Sequence, residues 1–284
     1  MRDIFNDITI ENQFRQNGYV IIPLVSGDEI DALKDQLTHF TPSDNFKGNQ
    51  DTAIGKQSFH ITFFDRDYHY KKGVFDFTKH YFKETVQDLL RAYKCIQANV
   101  FLKPSSAGFV FPHQNLTTVD ETQYNSISFW LPMQDTNFEN GTVCLIPRSQ
   151  DIPIKYRNTH LYWPFTNYCM TEEGKAHFVP IEVKKGELLI LDDRIIHYTP
   201  INQSKEDRWV LHSLWAPQEA QIKYFSKNES QIEIYDVADD FWQFTAPGEP
   251  IKGKNPDLVK ENDEIVYSQE EFVSIIKKLN EVPH

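Results

Sequence analysis

Between Ala98 and Pro217 the chain is cut into short apolar runs: ANVFLKP, NSISFWLPMQD, GTVCLIP, HFVPIEV, ELLILDD, IIHYTPI and RWVLHSLWAP. Each is rich in Val, Ile, Phe or Trp, and Pro, Gly, Asn and Asp divide them. Runs of this length, bounded by turn formers, read as strands and not helices. Seven or eight strands within about 120 residues predict two packed antiparallel sheets, a jelly roll or double-stranded β-helix of cupin-like form. The fold class expected is therefore mainly β with flanking helices.

The flanks carry the helices. From Ile10 to Phe40 the text reads as a helix, a short buried strand YVIIPL, and a second helix opening at Ser26, where Ser26 and Glu29 have the spacing of a capping box. A third helical stretch, FDFTKHYFKETVQDLLRAYK, places Phe75, Val86, Leu89 and Leu90 at helical spacing. The polar stretch from Thr41 to Lys56 is read as a loop. After Pro217 come an extended piece, a Gly/Pro connector and a helix SQEEFVSIIKKLN. A chain of 284 residues with 40% hydrophobic content supports one sizeable core. The organisation expected is a single domain over 1–284: N-terminal helices with their strand in 1–97, the β core in 98–217, and a C-terminal extension in 218–284.

Charge narrows the partners. A net charge of −12 disfavours nucleic acid and anionic lipid. Three cysteines, without a CxxC pair, suggest neither a disulfide framework nor a thiolate zinc site. With no long apolar run and no basic-then-apolar leader, the expected setting is the cytoplasm and the expected partner a small molecule. Oligomeric state is not written in the composition.

The chemistry-bearing residues lie inside the strand region. A metal that must hold a cosubstrate and dioxygen together needs open positions, so the protein supplies one face of ligands. Two such ligands sit economically at i and i+2 of one strand, which point the same way. His113 and Asn115, in FPHQN, have that spacing. A third candidate, His197, ends an apolar run in LLILDDRIIHYTPI. Eleven residues on, Arg208 opens the next strand and has the two-pronged geometry that grips a carboxylate, with the Thr199 hydroxyl beside it.

In this order the motifs resemble the phytanoyl-CoA dioxygenase family, non-haem iron(II), 2-oxoglutarate-dependent oxygenases built on a double-stranded β-helix. The resemblance runs from about Phe14 to Ala220. Its blocks are FRQNGYVIIPLVSGDEIDALKDQL, FPHQNLTTVDE, ISFWLPMQDTNFENGTVCLIPRSQ and GELLILDDRIIHYTPINQSKEDR. It implies Fe(II) and 2-oxoglutarate as cofactor and cosubstrate, with His113 and His197 on the metal. Arg208 and Thr199 would hold the far carboxylate of 2-oxoglutarate, and Trp130 would wall its pocket. His60, in SFHITFFD, is a candidate for the pocket mouth, and Gln114 for hydrogen bonding behind the ligands. The implied reaction is hydroxylation of a C–H bond in a small molecule, coupled to conversion of 2-oxoglutarate to succinate and carbon dioxide.

Asn115 breaks the pattern, since the family normally has Asp there. An amide brings an oxygen dipole where a carboxylate brings a full charge. Three readings follow: Asn115 ligates through its oxygen and the chain is an oxygenase; the metal site is lost and the fold is a ligand-binding module or the partner of an active oxygenase; or the missing acid opens a halide position, for which Asn is bulky. Asp120 and Glu121 are the nearest substitute acids, and Asp192 or Asp193 could orient the His197 ring. The aromatic stretch HLYWPFTNYCM is expected either as a lid or as a patch packed on the barrel.

Overall fold

The fold was obtained as a computed structural model that describes residues 2–48, 51–52, 55–56, 58–152, 154–157, 165–227, 230–245, 251, 253–263 and 265–280. Its strands, in chain order, are β1 (Tyr19–Pro23), β2 (Asp51–Thr52), β3 (Gly55–Lys56), β4 (His60–Ile61), β5 (Tyr93–Lys103), β6 (Val110–His113), β7 (Ile127–Pro132), β8 (Cys144–Leu145), β9 (Val179–Pro180), β10 (Glu187–Asp192), β11 (His197–Thr199), β12 (Arg208–Pro217), β13 (Lys223–Lys227), β14 (Gln231–Asp236) and β15 (Leu258–Glu261). The helices are α1 (Ile8–Asn17), α2 (Gly27–Thr38), α3 (Tyr68–Tyr81), α4 (Lys83–Leu89), α5 (Thr166–Cys169), α6 (Glu172–Lys175), α7 (Phe241–Phe244) and α8 (Gln269–Asn280). None of them is long and apolar enough to cross a membrane.

Two antiparallel sheets face each other. The larger has the order β1-β10-β7-β12-β5-β4 and the smaller β6-β11-β8-β9. Strand alternation assigns the two faces of the larger sheet. Val100, Leu102, Phe129, Leu131, Leu188, Ile190, Trp209 and Leu211 pack under α1 to α4 with Phe14, Leu33, Val74 and Phe82. Their neighbours one residue away, Trp130, Leu189, Leu191 and Val210, turn inward and meet Val143, Leu145 and Ile195 from the smaller sheet's side. Each such side chain, fully buried, contributes about 1.5–3 kcal/mol. That interior also takes polar residues, among them His197, Thr199 and Arg208.

Local signals set the helices. Asp7 caps α1 by accepting from the N–H groups of Thr9 and Ile10, and Gly18 ends it in the left-handed conformation. Ser26 and Glu29 form the capping box read from the sequence. The third helical stretch starts earlier than its apolar spacing suggested: Asp67 caps α3 at Tyr68, the helix breaks at Phe82, and residues from Tyr93 already belong to β5. The aromatic insertion falls partly on 158–164, outside the described residues. Its described end, Phe165, Tyr168 and Cys169, is buried with Ile146, Phe178, Phe272 and Ile276, and Phe165 stacks on Phe272 of α8 at 3.9 Å. That end is a patch packed on the barrel.

Candidate active site

The inward alternation places one set of side chains at each end of the interior. On β11, Tyr198 opposes Cys144 in the outer cluster, whereas His197 opposes Leu145 of the inner one. His197 therefore points inward, and Thr199, two residues on, points the same way. On its other side β11 pairs with β6, where His197 is directly opposite His113 and the two rings lie 4.3 Å apart between centroids.

Each imidazole is fixed by its own strand. His113 Nδ1 donates to the Phe111 carbonyl at 2.7 Å and His197 Nδ1 to the Ile195 carbonyl at 3.0 Å. This leaves both Nε2 atoms unprotonated in the neutral rings, the form that binds a metal. Burial pushes His113 down from its ordinary value. Burial, followed by the proximity of His113, pushes His197 down to about 3. Both imidazoles are neutral at physiological pH. The acceptors that orient these rings are thus backbone carbonyls, not Asp192 or Asp193, which could have oriented the His197 ring on sequence position alone.

Asn115 lies just past β6, at the corner where the sheets meet. Its amide Nδ2 donates to Ser128 Oγ and to Asp193 Oδ1, each at 2.9 Å, and its backbone N–H donates to the Asp193 carbonyl at 2.9 Å. With the nitrogen so held, Oδ1 is the end left for another partner. Asp193 is fully buried; burial raises its pKa to about 6, against the hydrogen bonds from Ser128 and Asn115. Neither nearby acid substitutes for the missing carboxylate. Asp120 caps the turn at Thr122 and Gln123, and Glu121 is paired with Arg157, whose Nε holds the Asn115 carbonyl at 2.8 Å. Among the described residues no carboxylate joins His113 and His197 within a common 4.8 Å span.

The other end of the interior is cationic. Arg208 is 2% exposed and Lys103, on β5, is fully buried. Arg208 donates to the Gly141 carbonyl and its guanidinium lies 5.3 Å from the centre of the Trp130 ring. Its Nε has no hydrogen-bond partner. Lys103 Nζ donates to Thr199 Oγ1 and to the Pro200 carbonyl, both at 2.6 Å. Gly108, at φ +85°, makes room for this lysine: a Cβ there would sit 2.2 Å from Lys103 Cγ. Burial lowers Arg208 to about 9. Burial, then the charge of Arg208, holds Lys103 well below its usual value. Two buried cations without an acidic partner are costly unless an anion joins them. An orphaned guanidinium N–H, a hydroxyl and an ammonium are the kinds of donor that can bind a carboxylate.

The spacing of the two ends follows from β11. His197 and Thr199 are alternate residues of one strand, about 6.6 Å apart on one face, so a small dicarboxylate could span from the cations at one end to the imidazoles at the other. At one end Arg208 lies against Trp130 and Lys103 bonds Thr199; at the other His113 faces His197, with Asn115 two residues beyond His113 and held to Ser128 and Asp193.

Two candidates sit elsewhere. His60 opposes Leu102 on the helix side of the sheet, is fully buried, and uses both ring nitrogens, Nδ1 with Asp44 at 2.8 Å and Nε2 with the Tyr70 hydroxyl at 2.7 Å. It has no nitrogen left for a substrate. Asp44, His60 and Asp65 form a cluster of ligand-type groups, but Asp44 also accepts from the N–H groups of Phe46 and Gly48, and Asp65 from Ser43 and Asp67. The cluster is a satisfied structural node. Gln114 donates to the Arg194 carbonyl and so braces the β10–β11 turn.

Sequence reasoning missed Lys103, read only as the end of an apolar run, and His212. The signal for both was strand alternation: Asn99, Phe101 and Lys103 on β5, and Arg208, Val210 and His212 on β12, are i, i+2, i+4 sets on the inner face. His212 Nδ1 accepts from Asn99 Nδ2 at 3.2 Å, and burial, then His113, lowers its pKa to about 4.

Comparison with known proteins places this architecture. A family profile, phytanoyl-CoA dioxygenase (PhyH), matches residues 14–210. Phytanoyl-CoA dioxygenase domain-containing protein 1 of Danio rerio is 24% identical over 275 residues, covering 76% of this chain and 94% of that one. Phytanoyl-CoA dioxygenase 1 of Oryza sativa subsp. japonica is 31% identical over 118 residues, 39% of this chain and 40% of that one. Among solved structures, the non-heme alpha ketoglutarate dependent epimerase SnoN from nogalamycin biosynthesis superposes with a TM-score of 0.56 at 14% identity, over 91% of this chain and 96% of that one. HygX from Streptomyces hygroscopicus, with nickel, 2-oxoglutarate and hygromycin B bound, gives 0.52 at 11% identity, over 75% and 88%. These likenesses establish the double-stranded β-helix fold. With the profile covering most of its length and the strand order, paired histidines and buried arginine in place, the chain belongs to the phytanoyl-CoA dioxygenase family.

Proposed function

We propose that this protein is an Fe(II)- and 2-oxoglutarate-dependent oxygenase that hydroxylates a C–H bond of a small molecule. The observation that carries the reading is the pairing, on one inner face, of two neutral imidazoles with a buried, acid-free Arg208–Lys103–Thr199 cluster one strand repeat away. His113 Nε2, His197 Nε2 and Asn115 Oδ1 would hold the metal. Arg208, Lys103 and Thr199 would hold the distal carboxylate, and Trp130 would wall that end. Iron and 2-oxoglutarate together supply the oxidising power for dioxygen chemistry. The chain positions the dicarboxylate between its cations and its imidazoles, and the apolar interior of Val143, Leu145, Leu189 and Val210 limits water there.

The test is anaerobic titration with Fe(II) plus 2-oxoglutarate, followed by the weak visible metal-to-ligand charge-transfer band and by succinate formation once oxygen and candidate substrates are added. A band in the native protein is expected. A 2-oxoglutarate-dependent rise in melting temperature with no band would replace this reading by that of a binding module.

Two substitutions probe the ends separately. His197→Ala should eliminate Fe(II)-dependent absorbance while a 2-oxoglutarate thermal shift persists; a band of native intensity would remove His197 from the ligand set. Lys103→Met should weaken 2-oxoglutarate by about tenfold, the loss of one charge-assisted contact. Unchanged affinity by calorimetry would assign Lys103 a purely structural role.

A further inference from the structure

The turn between β10 and β11 holds a negative charge that the reading above leaves unused. Asp192 and Asp193 are adjacent and both buried, but only the first is neutralised, by Arg194 at 2.7 Å. Asp193 pairs with no Lys, Arg or His among the described residues. Its Oδ1 accepts from Asn115 Nδ2 at 2.9 Å and from Ser128 Oγ at 2.5 Å, and its Oδ2 has no partner. A buried carboxylate without a counter-ion is strongly unfavourable unless a cation comes near it.

Of the three candidate metal ligands, Asp193 touches Asn115 alone, and it touches the end of the amide that cannot bind a metal. The contact does two things. Together with Ser128 it fixes which way the amide faces, sending Oδ1 away from the turn. It also draws the N–H toward an anion, which moves electron density onto the amide oxygen. The backbone hydrogen bond from Asn115 N–H to the Asp193 carbonyl locks the two residues in register.

Resting on the assignment of His113, Asn115 and His197 as a metal face, we propose that Asp193 is the anionic member of the metal site, acting through Asn115. Amide and acid form one ligand unit in which the amide touches the metal and the acid behind it supplies the charge. Asp193 is a positioning residue in this arrangement. The unit predicts that a lone Asn115→Asp change would be no repair: it would put two carboxylates at hydrogen-bond distance, where both cannot remain ionised.

The experiment uses the full chain and Fe(II) under anaerobic conditions, with calorimetric affinity and the charge-transfer band as readouts. Four proteins are compared: native, Asp193→Asn, Asn115→Asp, and the exchanged double variant Asn115→Asp/Asp193→Asn. Asp193→Asn keeps an acceptor for the Asn115 amide and removes the charge; it should weaken Fe(II) about 10- to 100-fold. Asn115→Asp alone should bind more weakly than the double variant, and the double variant should bind at least as tightly as the native protein. Native-like Fe(II) affinity in Asp193→Asn overturns the proposal and leaves the metal assignment standing. A double variant no better than Asp193→Asn also overturns it, since a structural role would not be rescued by moving the charge. If the native protein takes no Fe(II), the metal assignment falls and this proposal with it.

Discussion

Replacing Arg208 by alanine should abolish the stabilisation that 2-oxoglutarate gives and weaken its binding by about two orders of magnitude or more. Truncating one partner of a buried, hydrogen-bonded charge pair costs about 2–5 kcal/mol, and about 1.4 kcal/mol is a factor of ten. Arg208 meets the conditions for the upper part of that range. It is almost entirely buried, its Nε lacks a partner, and Trp130 covers its face. Lys103 cannot compensate, because two of its three donors are used on Thr199 and the Pro200 carbonyl and the one left has no planar fork with which to grip both carboxylate oxygens. Isothermal titration with 2-oxoglutarate in the presence of metal measures the effect directly. An affinity within threefold of native would show that the cationic cluster is not the dicarboxylate site. The ligand-free variant should remain folded, because the removed charge had no acidic partner to strand.

The second large effect lies beyond the stretch matched by the family profile. Trp242→Ala should cost about 3–5 kcal/mol of stability, the range for deleting a fully buried aromatic side chain. Trp242 is 0% exposed, stacks on Tyr224 at 5.6 Å, and packs with Ile96, Leu214 and Ile222. Its short helix α7 also repairs β5. The register of β5 against β12 slips near Ile96, and the Ala98 N–H donates to Gln243 Oε1 at 2.7 Å while Gln97 Nε2 donates to the Trp242 carbonyl at 2.8 Å. Losing the indole should therefore loosen the strand that carries Asn99 and Lys103 as well as opening a cavity. Urea unfolding provides the check; a loss under about 1 kcal/mol would mean that the C-terminal extension is accessory to the core.

Much of this architecture could be read directly. The near-continuous apolar runs ISFWLP and ELLILD mark central strands covered on both faces, Ser26 and Glu29 cap α2 as their spacing predicts, and the His-x-Asn, His-x-Thr and Arg order names residues found at the two ends of the interior. His60 shows the limit. The family resemblance of its segment puts it at a pocket mouth, yet a strand of two residues does not announce which face its histidine takes, and pairing with Leu102 turns it toward α3.

The sequence by itself determined the fold class, the strands and the identity of the imidazoles, the arginine and the anomalous amide. Periodicity and spacing are local properties, so each strand's inward set is written in its own residues. Only the tertiary structure decided what those sets meet: Lys103 with Thr199, 96 residues apart, and Asn115 with Asp193, 78 residues apart. Such contacts depend on how two sheets stack and where a turn crosses between them. A strand carries its own alternation, but not the charge that a distant strand will set against it.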